Sequence, residues 1–370
     1  MVFIWNAETA ERVNMLTLPK GCRSVSALAF SPDARYVAAA DMSDDHAVHV
    51  FDLENQDKKG KPVKLHTQKA DRNKIFGICW KPTGLEFQTV GVKHCYNWTM
   101  TAQALKGKKG AISSIPTAKG KSIGFTAVAW SPKSNAYLAS GSDGVIYTWK
   151  GASLSGKGEP AHKKMASCVN VVQSGGKELV LTGSSDKTVR IYENAGTKLT
   201  PITQLKVDAT PRSVDLKDDQ LLVGTSAGTI VEFRGITSNP SAQEGVVQMR
   251  SHAEGETWGL TMIREDNIYM YLTSGDDNKL LLHDINLKKV VGDGVIQTVP
   301  DIKALPKKKK VGGASTQSNL HPHQQSRALA YNYHLNHLAV GHNDGDVSIR
   351  QVEGIEEAAN GEASVKLDNI

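Results

Sequence analysis

Apolar and polar residues alternate along this chain in short runs, broken by turn residues. The stretch LTGSSDKTVRIYEN, residues 181–194, shows the pattern clearly. Val189 and Ile191 fall on one side of the run Thr188-Val189-Arg190-Ile191-Tyr192 and Arg190 on the other, the two-residue period of a half-buried strand. Gly183-Ser184-Ser185-Asp186-Lys187 supplies a turn before it, so the stretch predicts a β-hairpin.

Related hairpins recur at 38–53, 89–100, 138–151, 222–235, 272–285 and 338–352. A strand–turn–strand element precedes each of the seven, starting at Ser24, Ile75, Phe125, Cys168, Pro211, Thr257 and Ser326. Ser-Pro-Asp, Lys-Pro-Thr-Gly, Ser-Pro-Lys-Ser and Ser-Gly-Gly form its turns. Each unit is thus four short strands, repeating at about 41–51 residues with a longer last interval, the signature of a β-propeller blade. One such sheet cannot cover both of its faces, and stacking sheets about an axis does so while leaving only short edges.

The expected fold is therefore all-β: a seven-bladed β-propeller of four-stranded antiparallel blades over residues 1–352. The tail, 353–370, carries Glu353, Glu356, Glu357 and Glu362, and its polar, acidic composition predicts disorder. VFIWNAET, residues 2–9, reads as the last strand of one more copy. Two readings stay open: Val2–Trp5 displaces the final strand of the last unit, residues 347–352, or the chain begins inside a repeat.

Particular residues resemble the WD40 family. Asp143, Asp186 and Asp277 occupy the tight turn before the last strand of their units. Trp5, Trp98, Trp149, Tyr192 and Phe51 end that strand, and Asp52 and Asp284 stand where the D of the WD pair falls. The three turn aspartates are read as holding the turn through backbone hydrogen bonds, not as acids or bases.

Four stretches are similar, in order, to the first propeller of the echinoderm microtubule-associated-protein-like (EML) family. They are RSVSALAFSPDARYVAAADMSDDHAVHVFD (23–52), IFGICWKPTGLEFQTVGVKHCYNW (75–98), RSVDLKDDQLLVGTSAGTIVEF (212–233) and SHAEGETWGL (251–260). The resemblance implies a non-enzymatic protein that binds tubulin and microtubules, with other microtubule-associated or axonemal proteins as partners. It implies a place in the cytoplasm and cytoskeleton, with the ciliary axoneme a candidate. The family's N-terminal coiled coil or basic region, its hydrophobic HELP segment and its second propeller are not found here, so the sequence reads as a compact member or as part of a longer chain. The alternative function is a generic WD40 scaffold or adaptor subunit of a soluble multiprotein complex.

Composition narrows the picture only a little. Hydrophobic content of 39% and charged content of 22% suit a soluble globular protein. No apolar run approaches the roughly 20 residues of a membrane helix, so no membrane partner is expected. MVFIWNAETAERV lacks the features of a signal peptide, which favours an intracellular protein. The net charge, +6, suits an acidic partner without demanding one.

The charge concentrates in two segments read as exposed loops. LKGKKGAISSIPTAKGKS, 105–122, carries Lys106, Lys108, Lys109, Lys119 and Lys121. LPKKKKVGGASTQSNLHPH, 305–323, carries Lys307, Lys308, Lys309 and Lys310. These lysines are the candidate partner-binding residues, through screened attraction to an acidic surface such as tubulin's. The plain alternative is a solvated loop with no partner. PKKKKV also resembles a nuclear import signal. No aromatic residues interleave with the lysines, so nucleic acid is not expected.

Other chemistry is not indicated. Cys22, Cys79, Cys95 and Cys168 form no CxxC pair, and Cys79 and Cys95 read as buried strand thiols. AKGKS, 118–122, is not a phosphate loop, because Ile115 stands where the motif needs glycine. His321 and His323 have no thiol or carboxylate partner positioned by the sequence. Asn97-Trp98-Thr99 matches a glycosylation acceptor but lies in a strand. No metal, cofactor or nucleophile–base pairing is expected, and no heptad run predicts coiled-coil oligomerisation.

Overall fold

The computed structural model describes residues 1–58, 60–115, 123–239, 244–253, 256–265, 268–277, 279–284, 289–295, 326–343, 345–355 and 366–369. Its regular structure is almost entirely antiparallel β. β1 (Val2–Trp5) and β2 (Arg12–Leu16) pair as a two-stranded sheet. Four-stranded sheets follow in chain order. The first comprises β3 (Val25–Phe30), β4 (Tyr36–Asp41), β5 (Val48–Gln56) and β6 (Pro62–Gln68). The second comprises β7 (Ile75–Trp80), β8 (Glu86–Gly91), β9 (His94–Met100) and β10 (Leu105–Lys109). The third comprises β11 (Phe125–Ser131), β12 (Ala136–Gly141), β13 (Val145–Lys150) and β14 (Ser153–Pro160). The fourth comprises β15 (Ala166–Ser174), β16 (Lys177–Ser184), β17 (Thr188–Asn194) and β18 (Leu199–Lys206). The fifth comprises β19 (Pro211–Lys217), β20 (Gln220–Thr225), β21 (Thr229–Arg234) and β22 (Val246–Arg250). The sixth comprises β23 (Thr257–Glu265), β24 (Ile268–Gly275), β25 (Lys279–Asp284) and β26 (Lys289–Val295). The seventh comprises β27 (Ser326–Asn332), β28 (His337–His342), β29 (Val347–Glu353) and β30 (Lys366–Asn369). In every four-stranded sheet, sequence neighbours are spatial neighbours.

The strands form two compact units, Met1–Thr225 with Glu232–Val246, and Ser226–Val231 with Val247–Ile370. Within the first, apolar side chains from consecutive sheets interleave. Val2 and Leu16 pack with Val37, Ala39 and Phe51, which seats the β1–β2 pair on the first full sheet. Ala38, Ala40, Val48 and Val50 join Ile75, Trp80, Phe87 and Trp98. Val90 and Cys95 then join Phe125, Tyr137, Tyr147 and Trp149. Within the second unit, Ile263, Met270, Leu272, Leu280 and Leu282 pack with Leu338, Val340, Val352 and Ile355. Burying both faces of sheets that could not persist alone is what holds each unit together.

The alternating pattern is lost in the second strand of the first four sheets, which is buried along nearly its whole length. β4 reads Tyr-Val-Ala-Ala-Ala-Asp, and its Ala38, Ala39 and Ala40 are all fully buried. β12 and β16 are likewise buried on both faces. Such strands lie between two hydrogen-bonded neighbours and between two stacked sheets, so no side of them needs polar residues.

Two expectations change. Residues 105–109, read as part of a basic loop, form β10, in register against β9 from Leu105 opposite Met100 to Lys109 opposite Tyr96. The tail, read from composition as disordered, contributes β30, which pairs with β29 from Lys366 opposite Glu353 to Asn369 opposite Arg350. Both segments are polar and gain strand structure from backbone pairing to a neighbour already in place. β29, the final strand of the last unit in the sequence reading, stands between β28 and β30.

Gly107 explains how β10 sits so close. It lies opposite Trp98, and a Cβ there would come 2.6 Å from the indole Cζ3. Gly107→Ala therefore pushes against a buried ring that cannot easily retreat. A loss of about 1–3 kcal/mol is expected, read as a lower midpoint in urea unfolding; an unchanged midpoint would show that the indole has room to move.

Candidate functional site

The turn aspartates are built into compact hydrogen-bond networks. Asp186 sits between β16 and β17, where its Oδ1 accepts from the Thr188 backbone N–H at 3.1 Å and from the Thr188 hydroxyl at 2.6 Å. Its Oδ2 accepts from the Lys163 N–H at 3.3 Å and lies 3.4 Å from His162 Nδ1. His162 Nε2 is 2.9 Å from Thr182 Oγ1, which in turn donates to the Arg190 carbonyl. One buried chain of contacts thus ties the segment before β15 to β16, its turn and β17.

Asp277 repeats the arrangement. It accepts from the Ala253 N–H at 3.0 Å and the Lys279 N–H at 3.2 Å, and lies 2.8 Å from His252 Nδ1. His252 Nε2 is 3.0 Å from Thr273 Oγ1. At Asp143 the carboxylate accepts from the Val145 N–H at 3.3 Å and from the Tyr147 hydroxyl at 2.7 Å. The second sheet uses a histidine from within its third strand: His94 Nε2 is 2.8 Å from Thr89 Oγ1, which also accepts from Trp98 Nε1–H at 2.8 Å.

The electrostatics of these pairs are those of packed structure. Burial pushes His162 below the ordinary imidazole value, against the pull of Asp186. Asp186 lies below the usual carboxylate range; burial opposes this, but the Thr188 hydroxyl and His162 outweigh it. Asp277 follows the same course, with His252 as its chief stabilising partner. Asp186 and Asp277 are each charged, enclosed and committed to donors that hold a turn. Burial also pushes the thiols of Cys79 and Cys95 up, the former to about 12, so neither is a ready nucleophile.

A tight turn before the third strand, with its aspartate joined to a histidine and a strand threonine, occurs in the fourth and sixth sheets. The family profile described as "WD domain, G-beta repeat" matches residues 13–52, 109–150 and 159–193. These are WD40 repeats. The fold class is accordingly the all-β WD40-type β-propeller, with the four-stranded sheets as blades. WD40 propellers are typically non-enzymatic scaffolds for protein–protein interaction.

The chain is also similar to "Ciliary WD repeat-containing protein ctxp80" of Euplotoides octocarinatus. The two are 32% identical over 363 residues, which take in 95% of this chain and 45% of the ctxp80 protein. The chain thus spans a little under half the length of that relative.

The basic residues divide. Lys106, Lys108 and Lys109 are exposed on β10, the outermost strand of the second blade, which leaves them on a sheet edge rather than on a free loop. Lysines there also oppose pairing of that edge with another sheet. Lys119, Lys121 and Lys307–Lys310 lie outside the described residues, as do His321 and His323. Sequence reasoning missed His162, because it belongs to the loop before its strand and reaches Thr182 only through the fold. It also missed a meeting of Cys22, Asp41 and His49, three residues with no motif spacing.

Proposed function

We propose that this WD40 propeller is a non-enzymatic, EML-like microtubule-associated protein that binds tubulin as a structural component of a ciliary or cytoskeletal microtubule array. The observation that carries the proposal is the similarity, across nearly the whole chain, to a relative whose name places it in cilia. The exposed lysine edge of β10 supports it, because three cations on one strand suit an acidic partner surface. The lysines at 119, 121 and 307–310 extend the same electrostatic reading. Other axonemal or microtubule-associated proteins are the natural further partners. A second reading, a scaffold or adaptor in a soluble complex, is favoured by the WD40 repeats themselves.

Co-sedimentation with microtubules over a salt series distinguishes the two. The full chain is expected to pellet at low salt and to leave the pellet as salt rises, since exposed charges are screened within about 10 Å at 0.1 M. A variant with Lys106, Lys108 and Lys109 changed to Ser should bind roughly tenfold more weakly, from three contacts of about 0.5 kcal/mol each. A second variant, with Lys307–Lys310 changed to Ser, tests the other basic segment in the same way. Pelleting insensitive to both variants would move the tubulin contact to the blade surfaces. No pelleting at any salt would leave the soluble scaffold as the better reading.

A further inference from the structure

The segment that leads from β2 into β3 carries Cys22 beside two buried residues, Asp41 at the end of β4 and His49 on β5. Asp41 is 3% exposed and His49 1% exposed, while Cys22 is half-buried. The thiol sulfur, a carboxylate oxygen and an imidazole nitrogen lie within 4.8 Å of one another.

Asp41 is oriented before any ligand arrives. Its Oδ1 accepts from the Ser43 N–H at 3.0 Å, the Ser43 hydroxyl at 2.7 Å and the Ala47 N–H at 2.9 Å. This leaves Oδ2, 2.9 Å from His49 Nε2. The far side of the imidazole is held as well, with Nδ1 3.0 Å from Thr67 Oγ1 on β6. Metal-bound histidines carry such an outer partner, which fixes the ring and its tautomer. The other aspartate–histidine pairs supply the contrast. His162–Asp186 and His252–Asp277 also hold a turn with a threonine, but among the described residues only the Cys22 group adds a thiol. The thiol exceeds what the turn requires.

We propose that Cys22, Asp41 and His49 form a divalent metal site, with zinc the cation that fits their sulfur, nitrogen and oxygen donors and water in a fourth position. Calcium and magnesium take oxygen ligands, whereas zinc accepts all three of these groups in tetrahedral geometry. Ligand atoms about 2.0–2.3 Å from zinc stand roughly 3.3–3.8 Å apart in a tetrahedron. The carboxylate–imidazole contact must open by a few tenths of an ångström, and the thiol closes the third side. On binding, the Cys22 S–H bond breaks, its proton passes to solvent and a zinc–sulfur bond forms; neutral His49 gives up the Nε2 proton that faces Asp41 and takes one up at Nδ1, where it donates to Thr67 Oγ1, so that Nε2 is free to ligate. Because the thiol must lose its proton to ligate, binding strengthens as pH rises. The bound ion would tie the segment before β3 to β4 and β5.

Titration of the chelator-treated full chain with Co2+ tests this directly. One equivalent should produce a thiolate-to-cobalt charge-transfer band in the near ultraviolet, and Zn2+ should displace it and raise Tm. Cys22→Ser, a change at a half-buried residue outside the strands, should abolish the band and weaken Co2+ binding at least about tenfold. Thr67→Val should weaken binding while leaving the band. A chain that shows no band overturns the proposal. So does a band of equal strength in Cys22→Ser, which would assign the cobalt to Cys79, Cys95 or Cys168.

Discussion

Trp98→Ala is expected to lower folding stability by about 3–5 kcal/mol, the range for deleting a fully buried large aromatic side chain. Trp98 is 1% exposed. Its ring stacks 6.1 Å from Phe87 and 5.6 Å from Tyr96, centroid to centroid, and packs in the cluster that joins the first and second blades. Gly107 lies against the indole from the neighbouring strand. Truncation removes apolar contact on several sides and leaves a cavity that strands pinned by ladder hydrogen bonds cannot collapse to fill. It also takes one donor from Thr89 Oγ1. Trp98→Phe keeps much of the packing and loses the indole N–H, so it should cost less than the alanine change. Trp5 is the control. It ends β1 as Trp98 nearly ends β9, but it is 59% exposed, and Trp5→Ala should move stability by no more than about 0.5 kcal/mol. Urea unfolding of the three variants reads all of this; equal losses for Trp5→Ala and Trp98→Ala would show that burial is not the source.

The second large effect is acid sensitivity beginning above the carboxylate range. Burial pushes His94 down to about 4, against the pull of Asp71. In the unfolded chain the imidazole titrates near 6.5. Above about pH 6.5 both states hold it neutral and stability is unaffected. As pH falls from about 6.5 to 4 the unfolded state takes up the proton first, so stability is lost across that window, by about 2–4 kcal/mol at the bottom of it. His49, His162 and His283 are also pushed down by burial and add loss of the same sign. Below that window Asp41, held near 2 because its hydrogen bonds from His49 and Ser43 overcome burial, takes over. Its contribution is present above the unfolded carboxylate value and disappears as pH falls through its folded value. Tm measured from pH 7 to 4 should decline for the native chain and decline less for His94→Gln, whose amide can still meet Thr89. Parallel slopes for the two would remove His94 as the cause.

The fold class was legible because its signals are local. Strand alternation, turn chemistry at residues such as Asp143 and Asp186, and a repeating interval can be read without knowing what touches what. What required the structure was pairing across the chain. His162 serves Thr182 from the loop before the blade, whereas His94 does the same service for Thr89 from inside β9, so no single sequence spacing describes the network. Lys106-Gly107-Lys108-Lys109 has a loop's composition, yet β9 and the indole of Trp98 make it a strand. Residues 366–369 gained strand structure in the same way, from β29. Cys22, Asp41 and His49 come from a loop and two strands, and only their convergence gives them a shared chemistry.

The triple-alanine run of β4 has a consequence for how the chain finds its alignment. A strand with one apolar and one polar face carries its register at every position, because a slip of one residue turns the wrong side inward. β4 lacks that safeguard: Ala38, Ala39 and Ala40 are interchangeable in size and polarity, so its middle is nearly silent about alignment. The information sits at the two ends, in Tyr36 opposite Asp52 and in Asp41, whose carboxylate grips the turn at Ser43 and Ala47. A one-residue deletion among the alanines is therefore a contest between those ends, each pulling the shortened strand toward its own partner.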